Sequence, residues 1–111
     1  MAFTPYHAII GTGGITQELI KPGDNIKPIK SILVTNTHAS ASCDVTLFIQ
    51  DNPTSGTAST FKIISAVTIP ADVSLLIDNK ALLSFSGGIY GLYVTLGAAT
   101  TNSDLDIFIN T

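Results

Sequence analysis

Few residues in this chain have types that can do chemistry. His7, His38 and Cys43 are its only imidazoles and its only thiol. Nucleophilic catalysis needs a base within hydrogen-bond reach of the nucleophile and an acid behind the base. Cys43 follows His38 across an expected turn and alternates with Val45 and Leu47. That pattern describes a small buried hydrophobe beside a turn histidine. Gly11-Thr12-Gly13-Gly14 is rich enough in glycine to wrap a phosphate, but no Gly-Lys-Ser/Thr and no long helix follows it. It reads as a flexible turn. Asp104 and Asp106 share the outer face of the last expected strand, and Asp51 and Asp72 sit beside turns. Paired carboxylates can hold calcium or act as acid and base. Calcium takes roughly six to eight oxygen ligands, and no EF-hand spacing is present. One Cys and two His cannot close a structural zinc site.

Other binding chemistries are equally thin. Lys21, Lys27 and Lys30 form the only basic cluster, mixed with Asp24, and the chain has no Arg. Nucleic-acid binding and attachment to anionic membranes both need a denser positive surface, so neither is expected. Tyr90 and Tyr93 fall on opposite faces of one strand, and there is no Trp; a sugar-stacking platform has little to build on. The expectation is a protein that is not an enzyme, with no catalytic residue, no cofactor and no metal.

The elements that must position these residues are strands. Period-two alternation is broken at short intervals by Gly, Pro, Asn and Asp. Strands are expected over 6–10, 15–20, 29–36, 43–50, 60–69, 73–78, 89–96 and 104–110, with a further short one over 81–85. Over 43–50, Cys43, Val45, Leu47 and Ile49 point one way; over 104–110, Leu105, Ile107 and Ile109 do. Asp78-Asn79-Lys80 reads as a hairpin turn, and the stretch 51–59 is the longest loop. The only helical hint, Thr16 to Ile20, is too short to nucleate alone.

Composition agrees. Ile, Val and Thr supply 34 of the 111 residues, the residues that fit a pleated, half-buried surface. The pattern predicts an all-β, single-domain antiparallel β-sandwich, jelly-roll or Ig-like, of seven to nine short strands. One domain spans 1–111, with residues 1–14 as a candidate N-terminal arm. No signal peptide or membrane-spanning run is visible, and one Cys allows no internal disulfide. Synthesis in a cytosol is the expectation.

The surface is where the sequence departs from a solitary sandwich. Charged residues make up only 12% of the chain, about half the usual ~25%. Leu33, Phe48, Ile64, Leu76 and Phe108 each fall on the expected polar face of their strand. One exposed apolar residue means little, but several together mark a contact surface. Phe3 and Tyr6 are candidates to anchor an arm on a neighbouring subunit. These seven residues are the expected interface.

The run Ser31-Ile-Leu-Val-Thr-Asn-Thr-His-Ala-Ser-Ala-Ser-Cys-Asp-Val-Thr-Leu-Phe-Ile-Gln50 is a strand ending in Asn, a small-residue turn and an alternating return strand. Val67-Thr-Ile-Pro-Ala-Asp-Val-Ser-Leu-Leu-Ile-Asp78 adds two strands around a proline. Over residues 29–96 this arrangement resembles small all-β virion structural proteins of tailed bacteriophages. The resemblance implies a capsid decoration or cement role, in the virion after synthesis in the host cytoplasm. It implies a homo-oligomer, commonly a trimer, with the major capsid protein or another virion protein as partner. It carries over no site residue. The alternative is a carbohydrate- or receptor-binding sandwich of a phage fibre, tail or baseplate, with its site near 51–59 or 97–103.

Overall fold

The computed structural model describes residues 6–11, 16–23, 28–51, 58–85, 88–97 and 103–111. Its strands are β1 (Tyr6–Gly11), β2 (Thr16–Ile20), β3 (Ser31–Asn36), β4 (Cys43–Asp51), β5 (Thr60–Ile69), β6 (Ser74–Ile77), β7 (Tyr90–Leu96) and β8 (Ser103–Asn110). One helical turn, α1 (Lys80–Leu83), separates β6 from β7. Two four-stranded sheets have the orders β1-β8-β3-β6 and β2-β7-β4-β5, and every pairing is antiparallel. The first and last strands pair, and the chain passes repeatedly between the sheets. This is the eight-stranded jelly roll, two Greek keys folded face to face. The strand order therefore selects jelly roll over the Ig-like alternative.

Alternation builds the core. Ile32 and Val34 of β3 and Leu105, Ile107 and Ile109 of β8 face Val45 and Leu47 of β4 and Leu92 and Val94 of β7, all buried. Each of these strands places apolar residues at every second position, so one face of each sheet is removed from water. Cys43 is buried with them, as its alternation with Val45 predicts.

Thr16 to Ile20 is strand β2, paired with β7, in line with the strand expected over 15–20. Two local readings need correction. Residues 81–85 are not a strand, and Asp78-Asn79-Lys80 is not a hairpin turn. The Asn79 side chain accepts a hydrogen bond from the Ala81 amide and caps α1. An asparagine that satisfies a free amide in this way starts a helical turn. Of the candidate arm, residues 6–11 are β1, paired along their whole length with β8 at a sheet edge.

Two polar side chains organise the connection from β3 to β4. Asn36 is fully buried. Its Nδ2 donates to the Ala41 carbonyl at 2.9 Å and to the Ile69 carbonyl at 3.0 Å. Its Oδ1 accepts from the His38 amide at 3.0 Å. His38 Nδ1 in turn accepts from the Ser40 and Ala41 amides. That holds the turn and commits Nδ1 to the backbone.

Candidate contact face

The outward positions of β3, β6 and β8 alternate with the core residues, so their identity is free of packing demands. Backbone register sets Leu33 opposite Leu76 on one side and Phe108 on the other. Phe108 in turn pairs with Tyr6 at the edge of the sheet. Leu33 is 36% exposed, Leu76 55% and Phe108 50%. Three large apolar side chains from three adjacent strands thus form one transverse row. Strands lie ~4.8 Å apart, so these side chains are direct neighbours. On one side of the row runs a polar line of Ser74, Thr35 and Asp106, with the Thr35 and Ser74 hydroxyls 2.9 Å apart. On the other side Ser31 pairs with Asn110. An apolar strip bordered by small polar groups is the anatomy of a contact surface.

The outer face of the other sheet is of a different kind. There the side chains satisfy one another. Thr16 and Thr95 hydroxyls lie 2.9 Å apart, Thr68 donates to Asp44 at 2.6 Å, and Thr46 accepts from the Ala66 amide at 2.9 Å. Phe48 also lies on this face, yet it is only 8% exposed. The Tyr93 ring stacks on it with centroids 5.5 Å apart.

Of the seven expected interface residues, Leu33, Leu76 and Phe108 come together on one face. Tyr6 is in backbone register with them, and Phe3 lies outside the described residues. Phe48 and Ile64 do not belong to the exposed set, which corrects the reading of their strands. Phe48 points outward but is covered by Tyr93. Ile64 is paired with Leu47 and packs against the core. Its phase is reversed because the β4–β5 register shifts on either side of Leu47, beside Ala66 at φ 50°. Each shift changes which side chains face inward, and because there are two, Val67 and Ile69 again face inward opposite Val45 and Cys43. Phe61, Val73 and Ile89 are also exposed. Phe61 is opposite Ile49 and so lies on the core-side face, yet it is exposed near the start of β5.

The remaining candidates have local roles. The Asp51 backbone and carboxylate both bind Ser59, closing the neck of the loop between them. Asp72 occupies the turn from β5 to β6 at φ 58°. Among the described residues no three His, Cys, Asp or Glu side chains gather as a metal site. Thr12, Gly13 and Gly14 of the glycine-rich turn lie outside the described residues, as do Asp24 and Lys27 of the basic cluster.

Among the described residues, Tyr93 is the group whose acidity is clearly displaced. Burial raises its hydroxyl above the ordinary 10.0. The charge of Glu18 adds to this, and so does the hydrogen bond that Tyr93 donates to Glu18 at 3.3 Å. A value raised on folding favours the folded state below the unfolded value. That contribution is lost as pH climbs through the folded value. Glu18→Gln is expected to move the Tyr93 ionisation to lower pH in an ultraviolet absorbance titration, the Tyr93 component being identified by difference from Tyr93→Phe. An unchanged titration in Glu18→Gln would remove Glu18 as a cause.

Compared with protein-family models, curated proteins and solved structures, the chain matches none.

Proposed function

We propose that this protein is a non-enzymatic structural subunit of a phage virion, most simply a capsid decoration or cement protein that works through surface contact. The observation that carries the contact mechanism is the row Leu76, Leu33 and Phe108 across the β1-β8-β3-β6 sheet. The virion assignment is supported by the resemblance of residues 29–96 to small all-β virion proteins.

The occupant of the row is a second copy of the chain. Four strands at ~4.8 Å and six residues at ~3.3 Å give a face of about 400 Å² in projection. Two such faces reach the weak, reversible class of interface rather than the obligate one. A two-fold axis parallel to the row lays each apolar strip on its partner's. It also sets Asp106 against the Asn110 position instead of against its own copy, avoiding a like-charge contact. Weak contacts repeated over many copies hold strongly in aggregate.

Sedimentation velocity tests the contact. The protein is expected to self-associate at micromolar concentration. Phe108→Asp and Leu76→Asp are each expected to raise the dissociation constant about 100-fold, as for a buried anchor. Both positions are half exposed in the isolated fold, so melting temperatures should change little. A wild-type chain that stays monomeric at millimolar concentration overturns the contact. In purified virions of the phage that encodes it, the chain is expected in many copies, and its absence there overturns the virion assignment.

One observation favours carbohydrate or receptor binding as a second reading. Phe61, 55% exposed, meets Tyr90 edge to face with centroids 6.0 Å apart. Tyr90 pairs with Asp51, at the mouth of the 51–59 loop. An aromatic pair with one exposed and one half-buried ring, beside a carboxylate, can stack and hydrogen-bond a sugar. Specific signal on a glycan array, lost in Phe61→Ser, is the outcome that supports it.

A further inference from the structure

We propose that the cavity between the approach to β3 and the α1 turn binds a small amphipathic carboxylate. This site is separate from the contact face and does not depend on the virion assignment. The β3–β6 ladder ends at Ile32 opposite Ile77. Beyond that pair the two chains part. One runs back through Lys30 to Pro28, and the other turns into α1 under the Asn79 cap. The space between them is a cavity of about 300 Å³ lined by Pro28, Ile29, Lys30, Lys80, Leu83 and Ser84.

The lining has two chemistries. Ile29 and Leu83 are core residues, 5% and 2% exposed, and they supply an apolar floor. Lys30 and Lys80 are exposed at the rim. Among the described residues neither ammonium has a carboxylate partner. Lysine stems lie along apolar surface while the charged heads stay in water. Two exposed lysine ammoniums over an apolar floor fit one anionic head on an apolar body. A ligand cavity of ~300 Å³ is at the small end of the usual range. At ~30 Å³ per water-sized group it holds about ten non-hydrogen atoms, the size of octanoate. A single carboxylate between two lysines gains charge-assisted hydrogen bonds that an alcohol cannot match.

The shared chemistry, a carboxylate on an apolar stem, can come from a free metabolite or from the C-terminus of a partner chain. Amide-resolved NMR titration of the whole protein tests both sources, using octanoate and N-acetyl-leucyl-leucine as probes and octanol as the uncharged control. Octanoate, the dipeptide or both are expected to shift the amides of residues 29–30 and 80–84, with octanol at least about tenfold weaker. Tighter octanoate binding identifies a free carboxylate, and tighter dipeptide binding identifies a chain terminus. The Lys30→Gln/Lys80→Gln pair is expected to weaken binding about tenfold per charge removed. Ser84→Phe fills the mouth without altering charge and is expected to abolish binding. Equal affinity for octanol, shifts outside these segments, or full binding by either variant overturns the site.

Discussion

Asn36→Ala is expected to lower the unfolding free energy by about 3 kcal/mol. It removes three hydrogen bonds from a fully buried amide. Each bond contributes ~1 kcal/mol net, but the partners left behind matter more. A buried carbonyl or amide without a partner costs about 1–3 kcal/mol, and truncation strands the Ala41 and Ile69 carbonyls and the His38 amide. The bond to Ile69 crosses from one sheet to the other, so the loss falls on the closure of the sandwich as well as on the turn. Urea titration measures it as a lower midpoint with an unchanged slope.

Asn36→Asp separates polarity from geometry. The introduced carboxyl is nearly the same size and can still accept from His38. It cannot donate to Ala41 and Ile69 while ionised, and it faces two carbonyl oxygens without solvent. Burial and those carbonyls raise its folded-state pKa above the unfolded ~3.9. The sign follows directly. The variant keeps its full stability below the unfolded value and loses it as pH rises through the folded value. It is therefore expected to be more stable relative to wild type at pH 4 than at pH 7. A constant difference between the two pH values would mean that the side chain is not held against those carbonyls.

The second large effect is expected at Gly91. A Cβ on this residue would lie 2.5 Å from the Ile20 carbonyl oxygen, 2.7 Å from Pro22 Cδ and 2.9 Å from the Pro22 nitrogen. These contacts are to backbone and to a proline ring, which cannot rotate away. Chain leaving β2 crosses directly over β7 at this point, next to the Ile20–Leu92 pair. Gly91→Ala must push that crossing outward and open the edge of the core at Ile20 and Leu92. Overpacking of this kind costs about 1–3 kcal/mol, occasionally more, and a drop in melting temperature of roughly 10 °C is expected. Gly23→Ala provides the contrast. Gly23 has φ +88°, and a Cβ there would meet the Gly88 carbonyl oxygen at an ordinary 3.9 Å, so its cost is the ~1–2 kcal/mol of left-handed backbone alone. If both variants melt together, the crossing is looser than its geometry requires.

Much of the architecture is carried by local alternation. Leu105, Ile107 and Ile109, or Val45 and Leu47, face the core because side chains in a strand alternate faces, which makes strand positions and inward residues legible from spacing alone. The outward Leu33, Leu76 and Phe108 are legible for the same reason, as large residues out of phase with their strands. Cys43 and His38 are likewise read correctly as a buried thiol and a turn imidazole.

What needed the tertiary structure is whatever depends on a partner strand. Spacing cannot show that Leu33, Leu76 and Phe108 lie side by side, because residues 33, 76 and 108 are brought together only by pairing across long stretches of chain. Nor can it show that Tyr93 covers Phe48, or that a bulge beside Ala66 turns Ile64 inward. Jelly roll and Ig-like sandwiches share the same alternation and differ only in which strands are neighbours. Alternation is a property of one strand and is written in consecutive residues. Register, strand order and the shielding of one side chain by another belong to pairs of strands, and only the folded chain decides them.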